Sequence, residues 1–198
     1  MTMRTALICA AMTAMTAMTA PAGATVVTSI RISSAIPDWL QVSEVIATQA
    51  GTGTDVALAT AGATATASST GYGGDPSYAI DGIGPAPFPD IYHSGGPYGS
   101  DYLLVTLAQA YDLSGLTIDG RADTFGLTRD YYAYQLFDGT TLVGSGNIDA
   151  RNDAHSGSVT FDTVAAVPEP ATWAMFLIGF GVAGAGMRSR RKATVCFA

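Results

Sequence analysis

Cysteine, lysine and methionine are missing from the long central part of this 198-residue chain. None of the three occurs between residues 25 and 167, and the two cysteines of the chain are Cys9 and Cys196. The central part therefore folds without disulfides and without a cysteine-based zinc site, so its stability must come from a packed core. A stretch of about 140 residues is long enough for one domain with such a core.

Positive charge is also scarce in the central part. Four arginines stand there against 15 Asp and Glu residues, which gives a formal charge of −11. Nucleic acid is excluded as a partner, because a nucleic-acid surface needs Lys and Arg to neutralise phosphates. The acidic residues have two explanations, simple solubility or the attraction of calcium by clustered aspartates, and both stay open.

Motifs of the common catalytic sites are absent as well. The chain has no Gly-x-Ser-x-Gly, no His-Glu-x-x-His and no phosphate-binding loop. Its two histidines are His93 and His155, and no spacing among the acidic residues singles out a catalytic pair. We therefore expect a protein that is not an enzyme.

The first 24 residues have the layout of a secretory signal peptide. Arg4 precedes an apolar stretch at residues 5–20, and the small residues Ala22, Gly23 and Ala24 follow. This order predicts export and cleavage after Ala24. The exported domain would then comprise residues 25–166.

The C-terminal region combines a short motif, an apolar stretch and a basic cluster. Pro168-Glu169-Pro170 is followed by the apolar residues 171–187 and then by Arg188, Arg190, Arg191 and Lys192. Seventeen helical residues would span roughly 25 Å, against about 30 Å for a hydrocarbon core. The pattern predicts a single transmembrane helix at 171–187 with its basic end in the cytoplasm.

This C-terminal arrangement resembles the PEP-CTERM sorting signal in its PEPxxWA variant. Pro168, Glu169 and Pro170 form the tripeptide, and Trp173, Ala174 and Met175 complete the motif. The resemblance covers residues 167–192, with a short tail at 193–198. It implies an exosortase as partner, transient anchoring in the inner membrane of a Gram-negative bacterium, and a final place at the cell surface or outside the cell. A plain C-terminal anchor is the alternative.

The central part shows short β-rich segments and no long helical period. Alternating or apolar strand patterns occur at residues 26–33, 39–47, 102–107, 113–121, 131–149 and 158–164. Asp138-Gly139 predicts a hairpin turn, after which Leu142 continues the buried alternation. These features predict an all-β, antiparallel β-sandwich. Residues 71–100, rich in Gly, Pro and Tyr, have no periodicity, and such long loops are often functional.

Several short motifs of the central part occur in an order that resembles a known family. They are Ala67-Ser68-Ser69, Ala79-Ile80-Asp81-Gly82, Ile91-Tyr92-His93-Ser94 and GRADTFGLTRDYYAYQLFDG at residues 120–139. The order is similar to that of discoidin-like domains, in particular their fucolectin branch, over most of residues 28–163. The resemblance implies a galactose-binding-like jelly roll that binds carbohydrate.

The resemblance places a sugar site on His93, Arg121, Asp123 and Arg129, and a tentative calcium ligand on Asp81. In such a site, arginine forks and a histidine donate hydrogen bonds to hydroxyl groups while an aromatic ring packs on the sugar. Two alternatives remain: Arg121, Asp123 and Arg129 form a local salt-bridged turn, and Asp81 caps a turn. The function predicted is a surface module that binds a glycan or exopolysaccharide, or else a structural surface or biofilm matrix protein without a small ligand.

Overall fold

The computed structural model describes residues 26–97, 99–162 and 180. The predicted signal peptide, the sorting motif and the transmembrane helix thus lie outside the described residues, except for Phe180. Within the described residues, no helix is long and apolar enough to cross a membrane.

The regular secondary structure of the described residues consists mainly of antiparallel β-strands. The strands are β1 Val26–Ser34, β2 Gln41–Val42, β3 Glu44–Gln49, β4 Thr64–Ala67, β5 Tyr92–His93, β6 Tyr102–Asp119, β7 Tyr131–Asp138, β8 Thr141–Asp149 and β9 Ser156–Thr160. One turn of α-helix, α1, covers Gly126–Arg129, and 3-10 turns cover Ala59–Ala61 and Pro76–Ile80. All-β architecture is therefore confirmed.

Strand β6 connects two sheets. Its first part pairs with β1 and β4, and its last residues pair with β3 and β9. The larger sheet continues from β1 to β7 and β8, whereas β2 and β5 form a small separate sheet. The two sheets on β6 are consistent with a β-sandwich. The sequence pattern predicted separate strands at 102–107 and 113–121, but the structure has one strand of 18 residues.

The core follows the period-two alternation along the strands. Ile30 and Ile32 on β1, Leu103 and Val105 on β6, and alternate residues of β7 are buried in one cluster. Tyr134 also contacts Phe161, their ring centroids 6.2 Å apart. These burials confirm the alternation along β1 and β7.

Beyond the hairpin turn, the predicted alternation is wrong. Gly139 supplies the positive φ of 58° at the turn, but Leu142 is 50% exposed. The reason is a register irregularity between Leu136 and Phe137, after which Leu142 lies opposite Phe137. Leu142 therefore lies on the outer side of the hairpin and not in the core.

Candidate functional site

A concavity of about 260 Å³ lies among the loops that surround the small β2–β5 sheet. Its polar lining consists of His93, Arg121 and Arg129, and its aromatic lining of Trp39, Tyr72, Phe88 and Phe125. Three of the four residues proposed for a sugar site thus meet in one place. Asp123, the fourth, does not line the concavity.

The turn after β6 positions both arginines. Asp130, which is 1% exposed, accepts a 2.6 Å hydrogen bond from the backbone N–H of Arg121. Between them, helix α1 directs Arg129 back towards Arg121. Burial raises the pKa of Asp130 to about 7, against the opposing effect of the Arg121 hydrogen bond. The buried carboxyl group of Asp130 therefore closes the turn that carries Arg121 and Arg129.

Asp123 acts within this turn. Its Oδ2 lies 2.6 Å from Nε of Arg121, and its Oδ1 accepts a hydrogen bond from the N–H of Phe125. Arg129 pairs instead with Asp38, at 3.5 Å. The alternative of a local salt bridge is correct for Arg121 and Asp123 and wrong for Arg129, which reaches a different loop.

Both guanidinium groups stack on aromatic rings. The Arg121 Cζ lies 5.0 Å from the ring centroid of Phe88 and 4.8 Å from that of Phe125. The Arg129 Cζ lies 4.7 Å from the Phe125 centroid and 5.2 Å from the Trp39 centroid. Contacts of this kind stabilise a cation and restrict its side chain. Phe125 therefore holds both arginines in place.

His93 forms the floor of the concavity, and both of its ring nitrogens are bound within the protein. Nδ1 lies 2.8 Å from the carbonyl oxygen of Ser94, and Nε2 lies 2.9 Å from Nε2 of Gln41. A neutral imidazole with Nδ1–H donating and Nε2 accepting satisfies both contacts. The expectation that His93 donates to a sugar hydroxyl is therefore wrong, because neither nitrogen is free.

The backbone around His93 is packed closely. Gln41 and His93 are partners in the β2–β5 pairing, and Gly74 lies directly over His93. A Cβ at Gly74 would collide with the backbone nitrogen of His93. His93 is 5% exposed and contacts Tyr72 edge-on at 5.0 Å between ring centroids. It thus contributes its ring to the lining of the concavity and has no ring nitrogen left to bind a ligand.

We expect the pKa of His93 to lie below its usual value of 6.5. Burial lowers its pKa from 6.5, and the positive charges of Arg121 and Arg129 lower it further, against the Ser94 hydrogen bond. As the pH falls, the imidazole of His93 is protonated in the unfolded chain before it is protonated in the folded protein. The free energy of unfolding therefore decreases as the pH falls below 6.5. Imidazole ¹⁵N shifts measure the titration directly.

Gln41→Glu supplies the matched comparison for His93. A carboxylate at this position would accept a hydrogen bond from a protonated Nε2, so the pKa of His93 should rise above its usual range. A wild-type His93 that titrates at 6.5 or higher would contradict the neutral, doubly bonded arrangement.

The aromatic residues of the site were not identified individually from the sequence. Tyr72 is 64% exposed, Phe125 is 49% exposed and Phe88 is 38% exposed. Exposed apolar side chains are common singly, but a group of them around one concavity is typical of a binding surface. Tyr72 and Phe88 lie in the segment 71–100, whose lack of periodicity was the sequence feature that indicated a functional loop.

Asp81 lies outside this concavity. Its Oδ1 accepts a hydrogen bond from the N–H of Ile83 in a tight turn, as the capping alternative requires. Over the part of the chain that the structure describes, no group of three or more His, Cys, Asp or Glu side chains could hold a metal ion. Calcium binding at Asp81 stays a prediction.

Comparison with protein families identifies one match. Residues 166–192 match the PEP-CTERM protein-sorting motif. This motif implies export, sorting by an exosortase, and a destination at the cell surface or outside the cell in Gram-negative bacteria. Comparisons with curated proteins and with solved structures gave no match. The likeness of the central domain to discoidin-like domains therefore stays a resemblance.

Proposed function

We propose that the central domain is a carbohydrate-binding module which exosortase sorting delivers to the cell surface. The observation that supports this proposal is the convergence of two arginines and four aromatic rings on one small concavity. Sugars have apolar ring faces that pack on aromatic side chains and hydroxyl groups that accept hydrogen bonds from guanidinium groups. A volume of about 260 Å³ suits one or two sugar rings better than a large ligand.

The site also occupies the usual place for recognition in a β-sandwich. Five of its seven side chains come from loops, whereas His93 comes from β5 and Arg129 from α1. A jelly-roll topology of the galactose-binding type would suit this arrangement and belongs to the proposal. Transient anchoring of the unprocessed chain in the inner membrane through residues 171–187 also belongs to the proposal.

Arg129→Ala should weaken glycan binding by about tenfold or more, since a hydrogen bond to a charged group is worth about 1.5–3 kcal/mol. A glycan array with the full chain identifies the ligand, and titration calorimetry measures the change. Arg151→Ala is the matched control, because Arg151 also pairs with a carboxylate, Asp149, and stacks on a ring, Tyr131, but is not part of the concavity. Equal binding by wild type and Arg129→Ala would overturn the assignment of this site.

A structural role in a surface coat or biofilm matrix is the second candidate. Leu142 and Val143 are 50% and 39% exposed on β8, which pairs only with β7 in the described sheet. An open strand edge with apolar side chains can associate laterally. This role predicts no glycan on the array, together with a change in the cell surface or biofilm when the protein is deleted.

A further inference from the structure

We propose that the ligand of the concavity is an acidic sugar, a uronic acid unit of a polysaccharide, whose carboxylate binds between Arg121 and Arg129. This inference rests on the proposed carbohydrate-binding function and specifies its ligand class. Three properties of the two arginines support it: their unused donors, their stacking geometry, and the field that they produce.

The two guanidinium groups have many hydrogen-bond donors and few acceptors. An arginine has five N–H donors. Asp123 takes only the Nε donor of Arg121, and the 3.5 Å separation between Arg129 and Asp38 is too long for a good hydrogen bond. The other donors have no hydrogen-bond partner among the described residues. The two side chains are 12% and 22% exposed, and none of their nitrogens is among the buried side-chain atoms without a partner, so an acceptor that enters the concavity can reach these donors.

The aromatic contacts leave those donors available. The cations lie over the ring faces of Phe88, Phe125 and Trp39. Phenylalanine and tryptophan side chains carry no lone-pair acceptor, so these contacts restrict the guanidinium groups and leave their N–H donors for another group. A planar carboxylate accepts two parallel N–H bonds from such a group, which a single neutral hydroxyl cannot do.

Two arginines bring positive charge to the lining of the concavity although the domain is acidic. Arg121 and Arg129 are the charged groups that act on His93, and both disfavour its protonation. The carboxylates of Asp38 and Asp123 contact the arginines from outside the lining. Two of the four arginines in residues 25–167 are thus concentrated here, where a negative ligand group would be attracted.

The test compares each acidic sugar with its own neutral form. The full chain is titrated calorimetrically with oligomers of galacturonate, glucuronate and mannuronate and with their methyl esters, which keep the ring and remove the charge. We expect at least one acid to bind about tenfold more tightly than its ester, as the loss of a charge-assisted pair requires. Added salt should reduce this preference, because it screens the charges.

Two variants locate the effect. Arg129→Gln should abolish the preference for the acid, while Arg151→Gln, which removes the same charge away from the concavity, should retain it. Asp38→Asn removes a carboxylate that competes for Arg129, so it should tighten binding of the acid about threefold, as expected for a weak, partly exposed pair, and leave the ester unaffected.

The outcomes separate this inference from the proposed function. Equal binding of acid and ester would overturn the acidic-sugar inference and leave a neutral-sugar lectin. Binding of neither, together with an empty glycan array, would overturn both. An acid preference that survives Arg129→Gln would show that the carboxylate binds elsewhere, which also overturns the inference.

Discussion

Replacing Gly126 with alanine is expected to destabilise the domain by about 3 kcal/mol, the upper range for overpacking a tight site. A Cβ at this position would collide with the carbonyl oxygen of Arg121, lie 2.5 Å from Oδ2 of Asp130 and lie 2.9 Å from Nδ1 of His155. The first of these is backbone and the second belongs to a buried side chain, so neither can move cheaply. Thermal unfolding should shift downward by about 10 °C.

The sign of this effect distinguishes packing from helix propensity. Gly126 begins α1, and alanine is favoured over glycine inside a helix by about 1 kcal/mol. Propensity alone would therefore predict a more stable variant. Gly99→Ala is the matched control, because the nearest atom to its new Cβ would be the carbonyl oxygen of Ile36 at 3.9 Å. A Gly126→Ala variant as stable as Gly99→Ala would contradict the packing described for this turn.

The same substitution should affect the concavity. Displacing Arg121 or Asp130 would release the hydrogen bond that closes the turn, and Phe125 would lose its contacts with the two guanidinium groups. A folded Gly126→Ala protein should therefore bind glycan more weakly than wild type when both are measured well below their unfolding temperatures.

Alternation along the sequence was enough to identify the strand type and several buried faces. It succeeded for β1 and β7 because each has one face in the core, which imposes a period of two. It failed for β6 because three consecutive residues, Ala108, Gln109 and Ala110, are exposed and interrupt the alternation. Their continuity as a strand depends on pairing of Tyr111 and Asp112 with β1, a long-range contact that no local pattern contains.

The candidate site was predictable in part for a similar reason. Arg121 and Arg129 lie close in sequence, and they are two of the four arginines in residues 25–167. The partner of Arg129 is Asp38, from a loop far earlier in the chain, and no spacing rule could indicate it. The hydrogen bonds that occupy His93 also depend on a strand pairing, β2 with β5, that joins distant segments.

Glu44 is a buried carboxyl group that the sequence pattern did not mark as unusual. It is 1% exposed, and its Oε2 accepts a 2.9 Å hydrogen bond from the N–H of Gly82. Its Oε1 has no hydrogen-bond partner among the described residues. Burial, opposed by the Gly82 hydrogen bond and reinforced by the charges of Asp81 and Asp55, raises its pKa from 4.5 to about 7.

The wild type should lose free energy of unfolding as the pH rises, because Glu44 ionises in a buried position. Glu44→Gln should remove this loss. A carboxyl whose pKa is raised in the folded state gives its full stability below pH 4.5 and loses it as the pH passes through about 7. The shift corresponds to roughly 3 kcal/mol. Glutamine keeps an acceptor for the Gly82 N–H and never ionises. The advantage of the variant should thus increase by up to about 3 kcal/mol between pH 5 and pH 8.

Urea unfolding of both proteins at the two pH values measures this difference, and comparing pH values cancels any constant cost of the buried amide. Asp149→Asn is the control. Its carboxyl is exposed and its pKa is lowered by a hydrogen bond from Arg151, so it is ionised at both pH values. Its neutralisation should change stability equally at pH 5 and pH 8. Parallel pH profiles for wild type and Glu44→Gln would show that Glu44 ionises without cost. The carboxyl would then have access to water or a counter-charge in the folded protein, contrary to its burial beneath Gly82.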